Sequence, residues 1–180
     1  SEMKIFDCTT FYSEDLMLDV RFNILNPFVH KFIIVESKFS HSGREKKLNF
    51  DINKFSKFKD KIIYLVIEKE PSGLVNSENP TSGEKRMNSI KRIEQSYNYM
   101  AKGIIEAEDN DLICISDNDE IPNFDSRDFQ KSKNNQKANS ALVCHQHQRN
   151  PSGVIKSHGL LDCYQLEKRD PKPTTREQCI

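Results

Sequence analysis

Asp117, Asp119 and Glu120 place three carboxylates within four positions, directly after the apolar run Leu112, Ile113, Cys114 and Ile115. Carboxylate oxygens are hard ligands, and this spacing suits Mg²⁺ or Mn²⁺ and, through the metal, a diphosphate. The apolar run reads as a short strand buried on both faces, and Pro122 is expected to block continuation of its ladder. Open α/β sheets bind their ligands outside the carboxyl ends of the strands. A strand that delivers an Asp-x-Asp cluster to its carboxyl end therefore describes a site. The same residues also fit a solvated acidic turn, because short motifs recur by chance.

The elements that must carry this cluster alternate along the first half of the chain. Lys4 to Cys8 reads as a first strand. Ser13 is expected to cap a helix, with Glu14 and Asp15 in its first turn. Leu16, Val20 and Ile24, with Leu18 and Leu25 beside them, recur at helical spacing until Pro27 ends the run. His30 to Ser37 and Lys61 to Ile67 read as buried strands, with a short segment near Asn53 to Phe58 between them. Pro71, Gly73, Pro80 and Gly83 mark residues 69–83 as a long flexible loop. A second helix is expected over Glu84 to Ala107, with Met87, Ile90, Ile93, Tyr97, Met100, Ile104 and Ile105 as its apolar positions. Gly103 marks a break in it.

Strand, helix, strand, strand, helix, strand with continuous apolar strands predicts an α/β fold, a mostly parallel sheet flanked by helices on both sides. Asp7, Glu36, Ser37 and residues 117–120 would then share one rim. After Ile121 the pattern fades. Residues 126–180 are rich in Asn, Gln, Lys, Ser and Pro, with Ala141 to Cys144 as a weak strand. They read as a poorly packed polar tail, partly disordered towards 168–180, following a ligand-binding domain over residues 1–125.

Lys plus Arg and Asp plus Glu both number 27, so no global field points to nucleic acid or an anionic membrane. No basic flank with an apolar leader opens the chain, and no run approaches a membrane span. As given, the chain reads as soluble and cytoplasmic. The cysteines number five, Cys8, Cys114, Cys144, Cys163 and Cys179, and fit reduced thiols better than a disulfide framework.

The ordered motifs carry a resemblance. Lys4-Ile-Phe-Asp-Cys-Thr-Thr-Phe, Glu14-Asp-Leu-Met-Leu-Asp-Val-Arg-Phe-Asn-Ile-Leu-Asn, Lys31-Phe-Ile-Ile-Val-Glu-Ser, Ser42-Gly-Arg-Glu-Lys-Lys-Leu-Asn-Phe and Ile115-Ser-Asp-Asn-Asp-Glu-Ile-Pro resemble glycosyltransferase family 17. The resemblance runs in order over about residues 3–125. That family contains the β-1,4-mannosyl-glycoprotein β-1,4-N-acetylglucosaminyltransferase, whose members with a signal anchor reside in the Golgi membrane. The resemblance implies a GT-A-like fold, UDP-N-acetylglucosamine as donor, a glycan acceptor and an inverting, Mn²⁺- or Mg²⁺-dependent transfer. The chain looks C-terminally truncated or divergent against the family, since the tail stands where strands of the acceptor side are expected.

On this reading Asp119 is the direct metal ligand, and Asp117 acts on the metal through water or on the ribose. Glu120 is available as the base or as support for the metal ligands. Asp7, Thr10, Glu36 and Ser37 would meet the nucleotide, with Arg44, Lys46 or Lys47 from the loop at 42–47 at the diphosphate, although a short basic loop is more often simply solvated. Asp7 and Glu36 fit nearly as well as rim carboxylates satisfied by backbone N–H groups. Arg86 and Asn88 carry over loosely from a Gln-Arg-Asn-like stretch that opens the long helix in the family. Cys144, His145, His147, His158, Cys163 and Cys179 are zinc-competent residue types without an organised spacing. A fragment that binds nucleotide without transferring sugar is the second reading. A metal-dependent phosphohydrolase or nucleotidyltransferase is the third, and it lacks a P-loop or an early Asp-x-Asp nucleophile.

Overall fold

In a computed structural model of the chain, the described residues are 2–125, 129–130, 141–144, 163–166 and 171–174. Strand β1 (Ile5–Thr10) leads into helix α1 (Asp15–Leu25), then β2 (Lys31–Ser37), a 3-10 segment (Ile52–Lys61) and β3 (Ile62–Ile67). Helix α2 (Ser82–Tyr99) and a 3-10 turn (Met100–Gly103) precede β4 (Leu112–Ser116) and β5 (Glu120–Pro122). The described strands beyond are β6 (Ala141–Cys144), β7 (Cys163–Leu166) and β8 (Pro171–Thr174).

Five strands pair in the order β3-β2-β1-β4-β6, every pair parallel. The chain thus adopts the expected α/β fold, a parallel sheet flanked by helices. The strands are apolar on both faces, which is what parallel strands covered on each side require. Side chains alternate between two cores. Ile5, Phe32, Ile34, Leu112 and Cys114 face α1 and the 3-10 segment. Phe6, Cys8, Ile33, Val35 and Ile115 face the layer of α2 and the Met100 turn. On the α1 side Phe22 gathers Phe32, Phe55 and Phe58, with ring centroids 4.6, 5.3 and 5.4 Å away, distances at which aromatic pairs attract beyond their area burial.

The sheet order reverses between β1 and β4, one having its sequence neighbours on one side and the other on the opposite side. That is a topological switch point. A second, antiparallel sheet in the order β5-β7-β8 begins immediately after the acidic cluster. β7 and β8 were not evident in the polar composition of the tail. Pro171 and Pro173 fit a strand at a sheet edge, where the missing N–H is tolerated. Among the described residues no helix is long and apolar enough to cross a membrane.

Several local expectations change. Ser13 does not cap α1. Glu14 precedes the helix, and its Oε2 accepts the backbone N–H groups of Tyr12 at 2.9 Å and Ser13 at 3.0 Å. Leu16 is 79% exposed, and the buried stripe is Leu18, Arg21, Phe22 and Leu25. Helix α2 starts earlier than expected because Thr81 and Glu84 form a capping box. It also ends earlier, and Met87 and Ile105 are exposed. The loop before it is tied down: the Asn88 side chain donates to the Val75 carbonyl and accepts the Val75 N–H, both at 2.8 Å. Pro122 does not end the β4 ladder, which stops at Ser116; it lies in β5 opposite Cys163.

Gly103 does mark the end of the helical stretch, and packing explains the residue. A Cβ there would come within 2.7 Å of the Ile33 side chain. Gly103→Ala is therefore expected to cost about 1–3 kcal/mol through overpacking, measured as a lower midpoint of denaturant unfolding.

Candidate active site at the rim of the parallel sheet

Arg21 sits on the apolar stripe of α1 and is fully buried. Its Nε and Nη2 donate to Asp7 Oδ2 at 2.8 Å and Oδ1 at 2.7 Å, a bidentate ion pair. Nη2 also donates to Ser116 Oγ. Nη1 donates to the backbone carbonyls of Asp117 at 3.0 Å and Glu120 at 2.8 Å, with that of Asn118 at 3.4 Å. One guanidinium thus joins the middle of β1, the end of β4 and the turn that carries the acidic cluster.

That turn presents its side chains differently. Asp117 is half-buried, and its Oδ1 accepts the Tyr97 hydroxyl at 2.8 Å. Burial, then the Asp117 charge and this hydrogen bond, push the Tyr97 pKa well above the usual 10, so the hydroxyl remains a donor across the working pH range. Asn118 is 8% exposed; its Nδ2 donates to the Thr10 carbonyl at 3.3 Å, and its buried Oδ1 has no partner among the described residues. Asp119 is exposed and makes no hydrogen bond or ion pair within the described structure. Glu120 is 5% exposed and does not line the pocket beside the turn; its backbone carbonyl accepts Arg21 Nη1.

The pocket occupies ≈ 490 Å³ at the carboxyl ends of β1, β2 and β4. Thr10, Ser37, Lys46, Asp117 and Asp119, all singled out from the sequence, line it. Tyr12, Glu14, Phe39, His41, Arg92, Ser96 and Asn118 line it as well. Burial, and next the nearby Arg92 charge, hold the His41 pKa below its usual 6.5 against the pull of Asp117. Its imidazole is therefore neutral at pH 7.

Asp7 and Glu36 end up elsewhere. They share the strand parity of Ile5 and Ile34, so they point beneath the rim into the α1 layer, and each is fully buried. Glu36 accepts Lys46 Nζ at 2.8 Å, the backbone N–H groups of Asn49 at 2.6 Å and Phe50 at 3.0 Å, and the Tyr64 hydroxyl at 2.8 Å. Neither carboxylate has surface for a ligand to touch, which corrects the expected nucleotide contact. Both hold the framework instead, Asp7 through Arg21 and Glu36 through the loop at 46–50. Arg86 is exposed and outside the pocket wall, and Asn88 serves the Val75 loop.

Among the described residues no group of three or more His, Cys, Asp or Glu side chains stands close enough to hold a metal ion alone. The turn offers three oxygen donors that could take part in holding a cation: an uncommitted Asp119, an Asp117 oriented by Tyr97 and an amide oxygen on Asn118 without a partner among the described residues. Mg²⁺-type cations are commonly held by one or two carboxylates, with substrate phosphates and water completing the shell. The turn fits that chemistry. Of the zinc-competent residues noted in the tail, His145, His147, His158 and Cys179 lie outside the described residues. Cys8 and Cys114 are buried and outside any disulfide, and burial raises the Cys8 pKa.

The described fold is an α/β domain with an open pocket at the switch point of its parallel sheet, where such sheets generally bind ligands. The sequence model of glycosyltransferase family 17 matches residues 1–144, and the chain belongs to that family. No curated protein and no solved structure matches the chain.

Removing Arg21 would leave Asp7 buried and unpaired, so Arg21→Met is expected to cost about 3–5 kcal/mol, read from denaturant unfolding. Tyr97→Phe removes one hydrogen bond to Asp117 and is expected to cost about 1–2 kcal/mol, with secondary structure unchanged by circular dichroism.

Proposed function

We propose that this protein is a metal-dependent inverting glycosyltransferase that moves N-acetylglucosamine from UDP-N-acetylglucosamine to a glycan acceptor. The family supports sugar transfer from a donor to an acceptor. The observation that carries the metal-dependent reading is the charge pattern of the pocket. Its wall holds the carboxylates of Glu14, Asp117 and Asp119 against the cations Lys46 and Arg92, and His41 is neutral there. Lys46 is already paired with Glu36 and Arg92 with Glu70. A bare diphosphate would meet net repulsion, whereas a diphosphate that arrives with a divalent cation would not.

Asp119 would hold that cation directly, with Asp117 acting through water or on the ribose and Asn118 Oδ1 within the same turn. A divalent cation bound there supplies Lewis-acid neutralisation of the charge on the departing diphosphate. In the transfer, the acceptor hydroxyl oxygen bonds to the anomeric carbon from the face opposite the leaving group. The bond from that carbon to the β-phosphate oxygen breaks with its electron pair on the oxygen. The hydroxyl proton passes to a general base, the role for which Glu120 is the candidate, and from there to solvent. Thr10, Tyr12 and Ser37 offer hydrogen bonds and a ring face to the nucleoside.

Asp119→Ala tests the reading with little risk to the fold, since the carboxylate is exposed and without a partner. Thermal stability is expected to stay within about 0.5 kcal/mol of wild type, while Mn²⁺-dependent UDP binding disappears. Equal UDP affinity with and without Mn²⁺, measured by calorimetry, would overturn the metal-dependent reading.

A further inference from the structure

Arg92 lies midway along α2 and belongs to the pocket wall, although the family-based carry-over had pointed to Arg86. Its guanidinium is oriented on two edges. Nε donates to Glu70 Oε2 at 2.8 Å, and Nη1 donates to the His41 carbonyl at 3.1 Å. Ser89 Oγ donates to the same carbonyl at 2.9 Å, which fixes the His41 loop against the helix. Nη2 has no hydrogen-bond acceptor among the described residues.

The loop is shaped around this side chain. Gly43 has φ +87°, and a Cβ on it would collide with Nη2 and lie 2.8 Å from Cζ. Glycine is thus required there twice, once for the left-handed backbone and once for the close approach of the guanidinium. The Arg92 side chain is 13% exposed, so the group is largely desolvated before any ligand arrives.

The other permanent cation in the wall is differently employed. Lys46 Nζ donates to Glu36 Oε1 at 2.8 Å and to the Lys47 carbonyl at 3.0 Å, which commits two of its three donors to the fold. Of the two, Arg92 alone combines a fixed plane, a permanent charge and an Nη2 donor group without an acceptor among the described residues, in a pocket that the Asp117–Asp119 turn also lines. A guanidinium held in this way matches phosphate oxygens and loses little further freedom on binding them.

We propose that Arg92 is a donor-binding residue that grips the diphosphate of the nucleotide sugar through Nη2. The assignment rests on the proposed function, and it adds a protein cation to the metal as the second group that holds the phosphates. Glu70, the His41 carbonyl and Gly43 are positioning groups for that contact.

The test compares UDP, titrated by calorimetry in the presence of Mn²⁺, with uridine, followed by ligand-observed NMR. Arg92→Gln is expected to weaken UDP binding about ten- to a hundredfold and to leave uridine binding unchanged. Arg92→Lys keeps the charge and the aliphatic stem, so it should recover part of the UDP affinity; it also supplies the test should the Gln variant not fold. UDP affinity equal to wild type in either variant would overturn the assignment alone. Parallel loss of UDP and uridine binding would also overturn it, because that result marks a structural role. Failure of the wild-type protein to bind UDP with Mn²⁺ would overturn the nucleotide-sugar reading and the assignment together.

Discussion

The fold around the site depends on burying one arginine. Arg21 is wholly enclosed, and its five N–H donors all meet oxygen: two on Asp7, one on Ser116 and the rest on carbonyls of the 117–120 turn. A charge in that position is tolerated only with full pairing. The requirement works in both directions. Asp7 would lie buried and unpaired under the sheet without Arg21, and Arg21 cannot enter the α1 stripe without the carbonyls of the turn. The backbone of the acidic turn is therefore fixed from below by side chains that no ligand touches.

Fixing the turn from below releases its side chains to the rim. The chain leaves β4 at Ser116, passes over the arginine and enters the second sheet at Glu120. Between those two points it must expose something, and the residues there are Asp117, Asn118 and Asp119. Tyr97 steadies Asp117 from the α2 side, so the turn is held by elements from both faces of the sheet. The switch point supplies the space above it, since β1 and β4 send their connections to opposite sides.

Much of this was legible in the sequence. Apolar runs gave the parallel strands because a strand covered on both faces has no polar side to disguise it. The acidic cluster was legible by its abrupt contrast with β4. Asp7 and Glu36 were correctly placed near strand ends, but their faces were missed. Parity carried that signal, since each stands two residues after an isoleucine of the α1 core, Ile5 and Ile34. Arg21 carried a similar signal: it falls three after Leu18 and four before Leu25, on the buried stripe, where a charge implies a partner inside. The reading through Leu16, Val20 and Ile24 followed a neighbouring stripe that is wholly or half exposed. Arg92 and His41 were illegible for a different reason. They meet across 51 residues of chain, and no local spacing encodes a contact made by a loop folding onto a distant helix.

The carboxylates of the site differ in how far the fold has used them. Asp7 and Glu36 are fully enclosed, Asp7 with one Arg21 donor on each oxygen and Glu36 with four donors, and Asp117 is half-enclosed and receives Tyr97. Asp119 alone is exposed and bears no partner, while beside it Asn118 keeps a buried oxygen unsatisfied. An unmade hydrogen bond at a buried acceptor costs about 1–3 kcal/mol, and an apolar residue of similar size at that position would avoid it. A turn selected only to link β4 to β5 has no reason to keep both features side by side. On the proposed metal-dependent function each has a role: an uncommitted carboxylate for the metal, and an acceptor whose partner would arrive with the ligand.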